Sequence, residues 1–151
     1  MINNARYAHT NIVAHDYQSL ASFYKTVFGC VFVPPERNFS GAALEAGTGL
    51  PDAAVKGLHL RLPGHGGTGP TLEIYTYSHL ADGPAPAVNR PGLAHLAFDV
   101  PNVEDARKQA VAAGGRAVGE IVSLTISESE QVTWCYVTDP EGNIIGLESR
   151  G

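Results

Sequence analysis

Apolar and polar positions along the chain follow an order of strand, helix and three further strands, and that order occurs twice. Tyr7 to Val13 sets His9, Asn11 and Val13 on one side of an extended segment, with Ala8, Thr10 and Ile12 on the other. Asp16 stands as an N-cap before Leu20, Phe23, Tyr24 and Val27 at helical spacing, and Gly29 stops the run. A short strand from Cys30 to Val33 should end at Pro34-Pro35, and residues 36–53 read as strand plus loop. Val55 to Leu62 places Leu58, Leu60 and Leu62 opposite His59 and Arg61. After the Gly-rich loop 63–70, Thr71 to Tyr77 sets Leu72, Ile74 and Thr76 opposite Glu73, Tyr75 and Tyr77.

The second half repeats the order. Leu93 to Val100 alternates, with Ala94, Leu96, Phe98 and Val100 opposite His95, Ala97 and Asp99. Asn102 caps a helix ending near Ala113, where Gly114-Gly115 stop it. Strands fit 116–122, 132–138 and 144–149, with Asp139-Pro140-Glu141-Gly142-Asn143 as a turn before the last. The fold class is α+β, with two tandem βαβββ modules over about 5–78 and 92–150. They form one domain, joined by a Pro-rich linker over about 79–91.

Each module carries a histidine early and a glutamate late: His9 and Glu73, then His95 and Glu148. All four lie opposite an apolar strand face that a helix must cover, so the other, concave face presents them. The first and last strands of a βαβββ unit can be neighbours there, which brings each His toward its Glu. Two imidazoles and two carboxylates suit one divalent ion, Zn, Ni, Co, Mn or Fe, better than calcium, which prefers oxygen alone. A lone strand histidine is more often a structural residue. The same types recurring in two halves favour the metal site.

Composition narrows the partners. The 151 residues carry a net charge of −5 with no basic cluster, which argues against nucleic acid. No apolar run approaches the roughly 20 residues that span a bilayer. The N-terminus lacks a signal-peptide pattern, so cytoplasmic residence is expected. Cys30 and Cys135 lack metal-site spacing and read as buried free thiols.

The segments Ala8-His9-Thr10-Asn11-Ile12-Val13, Ser19 to Gly29, Leu93 to Val100 and Asp139 to Glu148 together resemble the vicinal oxygen chelate superfamily. That superfamily includes glyoxalase I, methylmalonyl-CoA epimerase, extradiol dioxygenases, fosfomycin-resistance proteins and bleomycin-binding proteins. The resemblance implies a curved mixed sheet around a metal, with His9, Glu73, His95 and Glu148 at the ligand positions. Four ligands resemble the glyoxalase I and epimerase branch, whereas extradiol dioxygenases and fosfomycin-type transferases typically use two His and one carboxylate. The resemblance also implies a homodimer.

The expected chemistry is that of a lyase or isomerase moving a proton beside a carbonyl, through a metal-stabilised enolate. Glu148 and Glu73 are the candidate bases, and the resemblance favours Glu148. Asn11, His59, Arg61, Tyr75 and Tyr77 share the concave faces and are candidates for binding a small-molecule substrate, Arg61 through a carboxylate. His15, His65 and His79 read as solvated loop residues, and Trp134 as core. The alternatives are an Fe(II)-dependent extradiol-type dioxygenase and a non-catalytic resistance protein that binds a small molecule.

Overall fold

The computed structural model describes residues 1–151. The chain divides into two compact units, Met1–Asp82 and Gly83–Gly151. In the first, β1 (His9–Val13) is followed by α1 (Tyr17–Phe28), β2 (Val31–Ser40), α2 (Ala42–Thr48), β3 (Ala54–Arg61) and β4 (Thr71–Tyr77). These strands make one sheet in the order β1-β4-β3-β2, with β1 parallel to β4 and the other pairs antiparallel. The second unit contains β5 (Leu96–Asp99), α3 (Val103–Ala112), β6 (Arg116–Ser127), β7 (Glu130–Thr138) and β8 (Ile144–Arg150). Its sheet order is β5-β8-β7-β6, with β5 parallel to β8. The architecture is therefore α+β, two mixed four-stranded sheets of the expected βαβββ type.

Helices α1 and α3 start where their capping residues direct. The Asp16 carboxylate accepts from the Gln18 and Ser19 backbone amides at 3.1 and 3.0 Å, and Gly29 ends α1 in the left-handed region at φ 68°. Helix α1 lies on β3 and β4. Its Leu20, Phe23 and Tyr24 are buried, as are Leu58, Leu60, Leu72 and Ile74 on the strands. Each such side chain contributes roughly 1.5–3 kcal/mol by leaving water. In the second unit α3 covers β6, β7 and β8, above the buried Cys135, Val137, Ile145 and Leu147.

The turn into β8 is held by Asp139, which is fully buried. Its Oδ1 accepts from the Glu141 and Asn143 amides at 2.9 and 3.0 Å, and its Oδ2 from Asn143 Nδ2 at 2.8 Å. A carboxylate bonded in this way fixes the phase in which β8 enters the sheet.

Three segments differ from expectation, one of them β6, expected over 116–122 and running on to Ser127. Strand β2 does not end at Pro34-Pro35 but runs through it to Ser40, with a cis bond between the prolines and a register shift between Val33 and Arg37. A proline cannot donate to a ladder, so it is tolerated on an edge strand and at a bulge, and β2 is both. Residues 42–48, expected as strand or loop, form α2, which Gly49 closes at φ 71°. No helix is long and apolar enough to cross a membrane. Both cysteines are free and buried.

Candidate functional site

With α1 and α3 covering one face of each sheet, the opposite faces carry the polar residues. On the first sheet the ladders bring together residues distant in sequence. Glu73 is directly opposite Asn11 on β1 and directly opposite His59 on β3. Asn11 Nδ2 donates to Glu73 Oε2 at 2.7 Å, and His59 Nε2 lies 3.0 Å from Glu73 Oε1. His9 is further off, its Nε2 3.6 Å from Glu73 Oε2.

His59 also meets Thr71, its Nδ1 2.8 Å from the hydroxyl. One neutral tautomer satisfies all three groups: Thr71 O–H donates to Nδ1 while Nε2–H donates to Glu73. Burial pushes the His59 imidazole below its ordinary value, against the opposing pull of Glu73, which supports that tautomer. Tyr75, two residues beyond Glu73 on the same face, hydrogen-bonds the carboxylate, and burial pushes its hydroxyl up to about 12. The rings of His9 and His59 meet edge-on at 5.6 Å, and those of His59 and Tyr75 at 6.1 Å. The first sheet therefore presents one carboxylate surrounded by His9, Asn11, His59 and Tyr75.

The second sheet is built differently. Its parallel ladder pairs Ala97 with Gly146, where the first sheet pairs Asn11 with Glu73. Its antiparallel ladder pairs Tyr136 with Gly146, where the first pairs His59 with Glu73. Two ladder pairs along, Trp134 faces Glu148, where Gly57 faces Tyr75. Gly146 thus stands at the position of Glu73, and Glu148 at that of Tyr75. His95, one residue before the ladder begins at Leu96, matches His9. Its ring lies beside the Tyr136 ring at 5.0 Å, and Trp134 meets Tyr136 at 5.1 Å. Glu148 Oε1 is 3.6 Å from Arg150 Nη2, while Arg150 Nη1 is 2.7 Å from Glu130 Oε1.

Arg61 donates to the Gly69 carbonyl and so clamps the loop before β4. Tyr77 continues the Glu73 face two residues beyond Tyr75 and lies opposite Val55. His15, His65 and His79 are exposed. Trp134, expected in the core, is half-buried on the face opposite α3. Tyr136 was not singled out from the sequence. The alternation of 132–138 could have found it, since Cys135 and Val137 are apolar on the other side.

A four-ligand metal set fits these residues poorly. His9 and Glu73 adjoin in the first unit, but both carboxylate oxygens already face donors. In the second unit glycine occupies the matching carboxylate position. Although His9 and His59 both approach Glu73, neither unit by itself gathers three or more His, Cys, Asp or Glu side chains so as to hold a metal ion.

The family model described as "Glyoxalase-like domain" matches residues 9–147, and the chain belongs to that family. It is part of the glyoxalase, bleomycin resistance and dioxygenase superfamily. A glyoxalase family protein from Bacillus cereus shares 20% identity at TM-score 0.74, over 99% of this chain and 95% of that one. One from Enterococcus faecalis shares 21% at TM-score 0.60, over 97% and 99%. A glyoxalase/bleomycin resistance protein/dioxygenase family enzyme from Burkholderia phytofirmans shares 16% at TM-score 0.56, over 96% and 98%. At such identities the likeness is one of fold. No curated protein matches the chain in sequence.

Proposed function

We propose that the chain is a lyase or isomerase of glyoxalase type that moves a proton on the carbon beside the carbonyl of a small substrate, with Glu73 as the base. The observation that carries this reading is the setting of Glu73, held by Asn11 at 2.7 Å and His59 at 3.0 Å on the face away from α1. Two donors fix the carboxylate's orientation, and a positioned carboxylate within reach of an acidic C–H is a general base. The Tyr75 hydroxyl stays protonated through neutral pH and, as a further donor to Glu73, helps hold the carboxylate. His9 borders the same carboxylate and orients the substrate.

No step here runs through a metal, because the ladder position in the second unit that matches Glu73 is held by Gly146, which has no carboxylate to offer. Glu148, the base favoured by resemblance, stands two ladder pairs away, beside Arg150.

The reading includes a reducing, cytoplasmic setting, supported by two free buried thiols. It also includes a homodimer, supported by Phe32 and Phe39 exposed on the edge strand β2 and checked by light scattering.

Solvent deuterium exchange tests the chemistry. Small 2-oxo acids and α-hydroxy ketones incubated in D2O with the protein should lose their α-proton NMR signal. Glu73→Gln should slow that loss by about 100-fold or more. Exchange at wild-type rate in the variant rejects the assignment, and oxygen consumption would point to the dioxygenase class instead.

A further inference from the structure

The change from carboxylate to glycine at position 146 leaves space, and the residues around that space are of one kind. A cavity of about 310 Å³ opens on the β7–β8 face of the second unit. His95, Tyr136 and Trp134 line it in a continuous row, with ring separations of 5.0 and 5.1 Å. Gly146 forms part of its floor. A Cβ there would meet nothing closer than 3.4 Å, at His95 Cδ2 and Ala97 Cβ. A longer side chain therefore fits at its root and would project into the cavity, so glycine is what keeps it open.

Charge at the rim is lopsided. Arg150 is shared by two carboxylates, Glu130 at 2.7 Å and Glu148 at 3.6 Å, so its positive charge is more than matched. Glu148 also lines the cavity, directly opposite Trp134. An aromatic wall beside an excess of carboxylate attracts rings and cations and repels anions. A volume near 300 Å³ lies at the small end of ligand pockets and suits one or two fused rings.

We propose that the second unit holds a binding site for a small planar aromatic compound, neutral or positively charged, seated against Tyr136 and Trp134 over Gly146. This site belongs to the second unit alone and stands whether or not Glu73 is a base.

Trp134 is the only tryptophan, so intrinsic fluorescence reports on this cavity directly. The probes are benzylamine, benzyl alcohol and benzoate, three single rings of similar size and different charge, titrated into the full-length protein. Benzylamine and benzyl alcohol should change the Trp134 emission saturably in the millimolar range, with benzoate at least about 10-fold weaker. Gly146→Glu should weaken benzyl alcohol at least about 10-fold by filling the space. Gly146→Ala, which circular dichroism should show to be folded, should leave it within about 2-fold. If Gly146→Glu does not fold, Tyr136→Leu, which removes the ring and keeps the bulk, should give the same loss. Benzoate binding as well as benzylamine, no saturable response to any probe, or benzyl alcohol binding undiminished in both Gly146→Glu and Tyr136→Leu would each overturn the proposal.

Discussion

Gly146 stands in the second sheet at the ladder position that Glu73 holds in the first. Each lies opposite an aromatic-type ring on the neighbouring antiparallel strand, Tyr136 for Gly146 and His59 for Glu73. Each also lies opposite a residue of the short parallel strand, Ala97 for Gly146 and Asn11 for Glu73. The carboxylate, its hydrogen-bonding histidine and its hydrogen-bonding asparagine are thus replaced together in the second unit. The two units share a frame and differ in chemistry.

Metal binding follows from that difference. Glu148 stands two ladder pairs past the matching position and shares Arg150 with Glu130. Elemental analysis of protein purified without chelator should give the same metal content for wild type and Glu148→Gln. A stoichiometric drop in the variant contradicts the placement.

His59 supports the first cluster. Removing its ring in His59→Ala strips a donor from the half-buried Glu73 and should cost about 1–2 kcal/mol in urea unfolding near neutral pH. The pH dependence has a definite sign. The folded value of His59 lies below the ordinary 6.5, so the unfolded chain takes up the proton first as pH falls. Its contribution to stability is present above that value and is lost as pH drops through the folded one. The wild type should therefore lose stability more steeply than His59→Gln on acidification from neutral pH, and parallel curves contradict the account.

The thiols should be silent in the native protein. Burial pushes Cys30 up to about 11 and raises Cys135 as well, so both stay protonated and unreactive at mildly alkaline pH. Ellman's reagent should label neither until the chain is unfolded. Because the folded Cys30 value exceeds its unfolded 9.0, its contribution is intact below 9.0 and disappears as pH rises through about 11. Cys30→Ala should flatten that alkaline loss by about 2 kcal/mol.

The two glycines of the paired faces should respond oppositely to alanine. A Cβ at Gly57 would lie 2.1 Å from the Ile74 carbonyl oxygen and 2.3 Å from the Tyr75 ring, so the Tyr75 side chain rests where the methyl must go. Gly57→Ala should cost about 3 kcal/mol in thermal or urea unfolding, and Gly146→Ala less than about 1 kcal/mol. Equal losses contradict the view that Gly146 borders open space.

Much of this fold was legible from alternation, because strand and helix periods were clear and caps such as Asp16, Gly29 and Asn102 marked the ends. Pro34-Pro35 misled, since whether proline ends a strand depends on its place at a sheet edge, which is a tertiary property. The first cluster was half legible. Glu73, His9 and Asn11 could be put on one face, but the His59 contact depends on the β3–β4 register, which alternation does not set. In the second unit the glutamate nearest the chain end was matched to Glu73 by its order along the sequence. Counting forward from the first strand residue after the Asp139 turn instead puts Gly146 third, as Glu73 is third from Thr71, and the ladders give the same register.

The central claim is that the first sheet supplies the reactive carboxylate. It is tested most directly by solvent deuterium exchange at the substrate α-carbon, with Glu73→Gln and Glu148→Gln measured side by side. The account predicts a loss of about 100-fold or more in Glu73→Gln and a rate within about 2-fold of wild type in Glu148→Gln. The reverse order, or equal losses in both, contradicts it.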